Sequence, residues 1–171
     1  MTNFDPSAIL EVLARHHVTY VLIGGYAALL QGSGLATIDI DIVPDRTKAN
    51  LANLAAALED LDAKIRAAGT DGLPFSVSAE SLQGVTVLNL TTRFGDLDLA
   101  FSPSGFTAGF DALRPGATQM TIDGLSVLVA SLDDVIASKE AAGRDKDFEA
   151  LPRLLRLRQE RQTPTGSDDS R

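Results

Sequence analysis

The stretch from Val21 to Pro44, "VLIGGYAALLQGSGLATIDIDIVP", decides how this chain is read. One apolar run ends in Gly24-Gly25, and a second carries Asp39 and Asp41 inside it. A carboxylate in an apolar run costs free energy unless a cation meets it. Thr19 to Ile23 is short and β-branched, which predicts a strand. Tyr26 to Gln31 predicts a helix directly behind it, stopped by "GSG" at 32–34. Thr37 to Val43 alternates, with Ile38, Ile40 and Ile42 on one face and Asp39 and Asp41 on the other, so it predicts a second strand. The two aspartates then leave one face with their Cα atoms ~7 Å apart.

Outward from this stretch, Ser7 to His16 predicts a helix capped by Ser7 behind Pro6. On the other side, Pro44-Asp45-Arg46-Thr47 starts a long helix whose apolar positions run from Leu51 to Ile65. "AAGTDGLP" at 67–74 breaks it. Val85 to Leu90 and Leu97 to Phe101 predict a hairpin around "TTRFGD". Phe106 to Leu113 predicts a short helix, and "MTIDGLSVLVA" a hairpin turning at Asp123-Gly124. Ser131, with Asp134 three residues on, starts a helix through Ala142. Gly143 interrupts, and helix resumes at Asp145, bent or restarted near Pro152. The order implies an α+β or mixed α/β fold: one domain over 1–161, helical from about 131, and a disordered polar tail at 162–171.

The bulk properties narrow the function. The chain has 171 residues, 44% of them apolar, enough for one domain with a core. No segment approaches the ~20 apolar residues of a membrane span, and "MTNFDPSAIL" lacks the basic region of a secretory signal. These features predict a cytoplasmic protein without membrane partners. Without cysteine, thiolate chemistry is excluded, and His16 and His17 are the only histidines. A net charge of −8 argues against broad, sequence-independent nucleic-acid binding.

Carboxylates placed like Asp39 and Asp41 suit a hard cation such as magnesium, which takes oxygen ligands and usually shares them with substrate phosphates. A third carboxylate would allow two ions ~3.5–4 Å apart, the arrangement for in-line displacement at phosphorus. Asp98 in "FGDLDLAF" is the candidate, preferred over Asp96 because it lies within the apolar strand and Asp96 at its turn end. Without metal, such a cluster predicts at least one raised carboxylate pKa. Gly24-Gly25 before a helix allows backbone to approach a phosphate closely. Each feature also has a plain structural reading: a tight turn, and a solvated acidic face. Their joint order carries the functional one.

That order resembles the signature of the DNA polymerase β-type nucleotidyltransferase superfamily: "IGG", then Tyr26 to Ile38, then "DIDI", with "LDLAF" on a later strand. The segment "VASLDDVIASKEAAGRDKDFEALPRL" is similar to the C-terminal helices of the small stand-alone members related to the AbiEii/MenT toxins, with Lys139 and then Arg144-x-x-Asp147. The resemblance implies a nucleotidyltransferase-like mixed sheet flanked by helices. It implies transfer of a nucleoside monophosphate from a nucleoside triphosphate such as ATP to a hydroxyl, with Mg2+ or Mn2+ as cofactor. Gly24, Gly25, Lys139 and Arg144 would bind the nucleotide, Asp39, Asp41 and Asp98 the metal, and Asp147 would orient a cation. Asp39, Asp41, Asp98 and Lys139 would be the catalytic set. The acceptor is open between a tRNA 3′ end, a protein hydroxyl and a small molecule; a toxin role would add an antitoxin partner. Leu35 stands where many relatives carry arginine, and Gly25 where some carry serine. Two alternatives stay open: a nucleotide- or partner-binding module with a lapsed site, and a metal-dependent phosphohydrolase. The arginines of "RLLRLRQER" at 153–161 read either as RNA-backbone contacts or, preferably, as the solvated side of a helix.

Overall fold

The computed structural model describes residues 3–163, so the predicted tail lies almost wholly outside the described residues. The element order is α1 (Pro6–Arg15), β1 (Tyr20–Ile23), α2 (Gly24–Leu30), β2 (Asp39–Pro44), α3 (Lys48–Asp60), β3 (Lys64–Ile65), α4 (Ala79–Gln83), β4 (Val87–Thr92), β5 (Gly95–Ala100), α5 (Phe110–Leu113), a 3-10 turn (Arg114–Gly116), β6 (Thr118–Ile122), β7 (Leu125–Val129), α6 (Leu132–Ala142) and α7 (Asp145–Gln162). The strands form one mixed sheet in the order β3-β4-β5-β2-β1-β7-β6. Its centre combines an antiparallel β1–β2 pair with parallel β2–β5 and β1–β7 pairs. No helix among the described residues is long and apolar enough to cross a membrane.

The pleat sorts the central strands as their alternation predicts, except at Ile38, which lies before β2 and is exposed at the cavity and not on the apolar face. Ile40, Ile42, Leu97 and Leu99 are fully buried. The apolar stripes of α1 (Ile9, Leu10, Val12, Leu13) and α3 (Leu51, Leu54, Leu58) join the same core cluster. Asp39, Asp41, Asp96 and Asp98 leave the other face, on the side of α2, α6 and α7. Asn50, at the start of α3, fastens that helix to the sheet: its side chain accepts from the Thr19 N–H at 2.7 Å and donates to the carbonyls of Thr19 and Asp45, both at 2.8 Å.

Several local readings change. The cap of α1 is Asp5, whose carboxylate accepts from the Ala8 N–H at 3.0 Å, with Pro6 inside the helix. The second helix begins at Gly24 itself and not at Tyr26. The third helix ends at Asp60, because Asp62 adopts a left-handed φ of 50° and turns the chain. Ile65 therefore sits in β3, not on the helix. The Asp123-Gly124 hairpin forms with positive φ at both residues, and Ser131 caps α6 by accepting from the Asp134 N–H. Gly143 ends α6 at a left-handed φ of 59°. α7 runs through Pro152 without a break.

Replacing Asn50 by alanine removes three hydrogen bonds at a partly buried site. It leaves the Thr19 N–H and the Asp45 carbonyl without that partner, while the Thr19 carbonyl still accepts from the Asp45 N–H. Asn50→Ala is expected to lower stability by about 2–4 kcal/mol in urea unfolding. A loss of a few tenths would show that water replaces the amide.

Candidate active site

The carboxylate row is built by strand register. In the parallel β2–β5 pair, Asp39 stands opposite Asp96 and Asp41 opposite Asp98. The face opens into a cavity of about 680 Å³ lined by Gly24, Gly25, Asp39, Asp41 and Asp98 on one side and by Lys139, Arg144, Lys146 and Glu149 on the other. Gly24, Gly25, Asp39, Asp41, Asp98, Lys139 and Arg144 thus share one cavity, while Asp147 is buried and does not line it.

The glycines lie against the carboxylates. Gly24 has φ +71°, and a Cβ there would fall 2.1 Å from Asp41 Oδ2; one on Gly25 would fall 2.8 Å from Thr37 Oγ1. Only glycine lets the start of α2 approach this closely. Ile23, at the N-cap, provides no side-chain acceptor for the first-turn N–H groups. Thr37 donates to Asp39 Oδ1 at 2.9 Å and so fixes that carboxylate.

Electrostatically the row is under load. Burial, then the charges of Asp39 and Asp98, push Asp41 up to about 7, with Lys146 and Arg144 pulling against them. Burial also raises Asp98, opposed by its hydrogen bond to Arg66. The raised carboxylates are those expected of an acidic cluster without metal.

The cationic wall is organised by Asp147, which is fully buried. It accepts from Lys139 Nζ at 3.2 Å, from Arg144 Nε at 2.7 Å and from the Arg144 N–H at 3.3 Å. Burial pushes Asp147 up, but Arg144 and Lys139 together hold its carboxyl below the usual range. Lys139 is therefore a paired, largely buried cation and not a free surface lysine. Lys146, exposed in the same cavity, was not anticipated; its place two residues after Arg144 at the start of α7 was the available signal.

The arginines at 153–161 lie on the outer side of α7, with Arg153, Arg156 and Arg161 exposed as preferred from the sequence, but two of them also make defined contacts. Arg153 Nε donates to the Ser33 carbonyl at 2.9 Å, and Arg161 donates to the Gln31 side chain at 3.0 Å and to its carbonyl. Gln31 in turn donates to the Ala130 carbonyl at 2.8 Å. These bonds seat α7 on the end of α2, since cations suit the carbonyl end of a helix.

Arg66 is the other residue missed, because β3 has only two residues and shows no period. It reaches Asp98 Oδ1 at 2.7 Å and Asp96 Oδ2 at 2.9 Å. Among the described residues, no group of three His, Cys, Asp or Glu side chains is arranged to hold a metal ion as it stands. Asp39 and Asp41 remain uncommitted to a cation. They fit a magnesium ion that completes its shell with phosphate oxygens and water.

No protein-family model and no curated protein matches the sequence. Solved structures do match in fold. A lincosamide antibiotic adenylyltransferase, LnuA, in its lincomycin-bound form, superposes with a TM-score of 0.58 at 16% identity, covering 91% of this chain and 99% of that one. A nucleotidyltransferase from Thermotoga maritima gives 0.52 at 17%, covering 88% and 89%. The antibiotic-resistance factor ANT(2'')-Ia gives 0.52 at 17%, covering 90% and 87%. The fold is thus nucleotidyltransferase-like, as the motif order implied.

The raised Asp41 gives a pH signature. The folded chain keeps that proton to about pH 7, while the unfolded chain releases it near the ordinary value of ~3.9. Between those limits the unfolded state binds fewer protons, so stability falls as pH rises; below them the difference vanishes. In chelator, Asp41→Asn is expected to melt above the wild type at about pH 8 and level with it at about pH 3. Parallel melting curves at both extremes would show that Asp41 is not strained.

Proposed function

We propose that the chain is a metal-dependent nucleotidyltransferase that moves a nucleoside monophosphate from a nucleoside triphosphate to a hydroxyl acceptor. One observation carries this reading: within this fold, Asp39 and Asp41 face Lys139, Arg144 and Lys146 across a single cavity, with Gly24-Gly25 at its edge. Opposed acidic and basic walls accommodate a triphosphate together with a cation.

Asp39 and Asp41 would hold the ion, which when bound neutralises phosphate charge and makes the α-phosphorus more electrophilic. Gly24 and Gly25 bring backbone against the phosphates. Lys139, held in place by Asp147, and Arg144 and Lys146 take up the charge that develops on the departing pyrophosphate. The acceptor oxygen forms its bond to the α-phosphorus as the bond from that phosphorus to the β-bridging oxygen breaks. Asp98 is positioned to receive the acceptor proton. Catalysis is then mainly alignment and charge neutralisation.

For the acceptor we favour a small hydroxyl compound. Arg153 and Arg161 donate to carbonyls at the end of α2, which fixes part of their donor capacity within the chain. Two of the fold neighbours are, by name, antibiotic-modifying or antibiotic-resistance proteins. A tRNA acceptor, a toxin role and an antitoxin partner rest on the sequence resemblance alone. The second reading, a nucleotide-binding module with a lapsed site, is favoured by one contact: Arg66 ties up Asp98, the carboxylate that would serve as base.

The deciding experiment incubates the protein with α-labelled nucleoside triphosphates and Mg2+ or Mn2+, offering pooled tRNA and a panel of small hydroxyl compounds. Transfer by the wild type that Asp41→Asn abolishes supports the enzyme. Nucleotide binding without transfer supports the lapsed module, and release of label to water alone the phosphohydrolase. Lys146→Ala is expected to weaken nucleotide binding about tenfold, roughly 1.4 kcal/mol, with an unchanged melting temperature. Unaltered affinity would remove the basic wall from the nucleotide site.

A further inference from the structure

Arg66 lies against the third carboxylate, where the two-ion arrangement would require an open ligand. Its backbone N–H donates to the Asn89 carbonyl at 2.9 Å, which sets the residue at the end of β3 beside β4. The side chain then crosses β4 to β5. Nη2 donates to the Leu90 carbonyl at 2.8 Å and to Asp98 Oδ1 at 2.7 Å, while Nη1 stands 3.5 Å from Asp98 Oδ2. Nε is buried and 2.9 Å from Asp96 Oδ2, but the angle is poor, so this contact is one of charge more than of hydrogen bonding. One guanidinium thus serves both carboxylates of β5.

The attachment is firm. Ile65 and Leu73 exchange N–H···O bonds, both at 2.9 Å, which folds residues 66–72 back beside the sheet edge. Gly72, at φ +93°, sits so close that a Cβ would fall 2.7 Å from Lys64 and 2.8 Å from Thr91. The guanidinium keeps its charge at any working pH and presents a planar fork suited to carboxylates. An ion ligated by Asp98 would have to displace it or bind beside a fixed positive charge.

We propose that Arg66 is a built-in cation for Asp98 and Asp96, so that the site takes one divalent ion, at Asp39 and Asp41, where an open third carboxylate would admit a second. The proposal rests on the metal-binding reading of Asp39 and Asp41 given above. Without Arg66 the face would carry four carboxylates in two register rows, Asp39 with Asp96 and Asp41 with Asp98. That set has ligands for two ions. With Arg66 in place, Asp98 is not open to serve as a metal ligand.

The test counts Mn2+ ions bound per chain from the electron paramagnetic resonance signal of the free ion, using Mn2+ alone. The wild type should bind one ion, Arg66→Gln two, and Arg66→Lys, which keeps the charge, one. Asp98→Asn in the wild-type background should leave the single ion's affinity unchanged, and Asp39→Asn should weaken it. The Asp98 variant keeps the proposal testable if Arg66→Gln does not fold, as circular dichroism would show. Two ions in the wild type, one ion in a folded Arg66→Gln protein, or a loss of affinity in Asp98→Asn would each overturn the role of Arg66 and leave the Asp39–Asp41 site standing. No ion bound to the wild type would overturn both.

Discussion

The in-register pairing of β2 with β5 is the constraint on which the site depends. It is fixed on one face by Ile40, Ile42, Leu97 and Leu99, all without solvent exposure. Each such side chain gains about 1.5–3 kcal/mol from burial, and a slip of one residue would turn the slipped strand's pair outward. The same register forces two rows of carboxylates together on the opposite face. Like charges directly across a sheet are unfavourable. The apolar face can sustain them because its contribution is larger and cannot be separated from theirs.

The neighbouring residues answer that imposed charge in different ways. Thr37 donates to Asp39. Arg66 pairs with Asp96 and Asp98. Lys146 and Arg144 act on Asp41 at longer range, leaving it raised. Charge is therefore compensated at the β3–β4 edge and left uncompensated toward α2. In a chain of net charge −8, the cationic wall at the start of α7 is a local exception. Low-dielectric walls around it concentrate its field within the cleft.

Strong periodicity made the centre of the fold legible. The alternation from Asp39 onward marked a strand with its aspartates on one face, although Thr37 and Ile38 before it are not in the strand, and the glycine pair marked the entry to α2. Asp123-Gly124 and Ser131 gave their turn and cap because their local chemistry is nearly sufficient. The α3–β3 junction was hidden, since Ile65 continues the helical spacing from Leu61. Only the tolerance of aspartate for left-handed backbone, at Asp62, hinted at the stop. With β3 unseen, Arg66 had no address. The Asp5 cap was readable in principle, because proline favours the first helical position and so places the cap just before it. The engagement of Arg153 and Arg161 was not readable, since their partners lie 120 and 130 residues away in the chain.

The attachment of α7 to the end of α2 has a bearing on how the molecule is made. Gly24, Gly25, Asp39, Asp41 and Asp98 all precede residue 99, whereas Lys139, Arg144 and Lys146 come after β7 has joined the sheet. During vectorial synthesis the acidic face and its guanidinium partner are complete first, and domains fold as their segments emerge. The opposing wall then docks through Arg153 and Arg161 onto a helix end that has been waiting with free carbonyls. A nascent chain paused before α7 would carry the acidic face with Lys139 and Arg144 but without Lys146 and without Asp147, the carboxylate that holds those two cations. Assembly of the cleft is therefore a late event, governed by the last helix to be translated among the described residues.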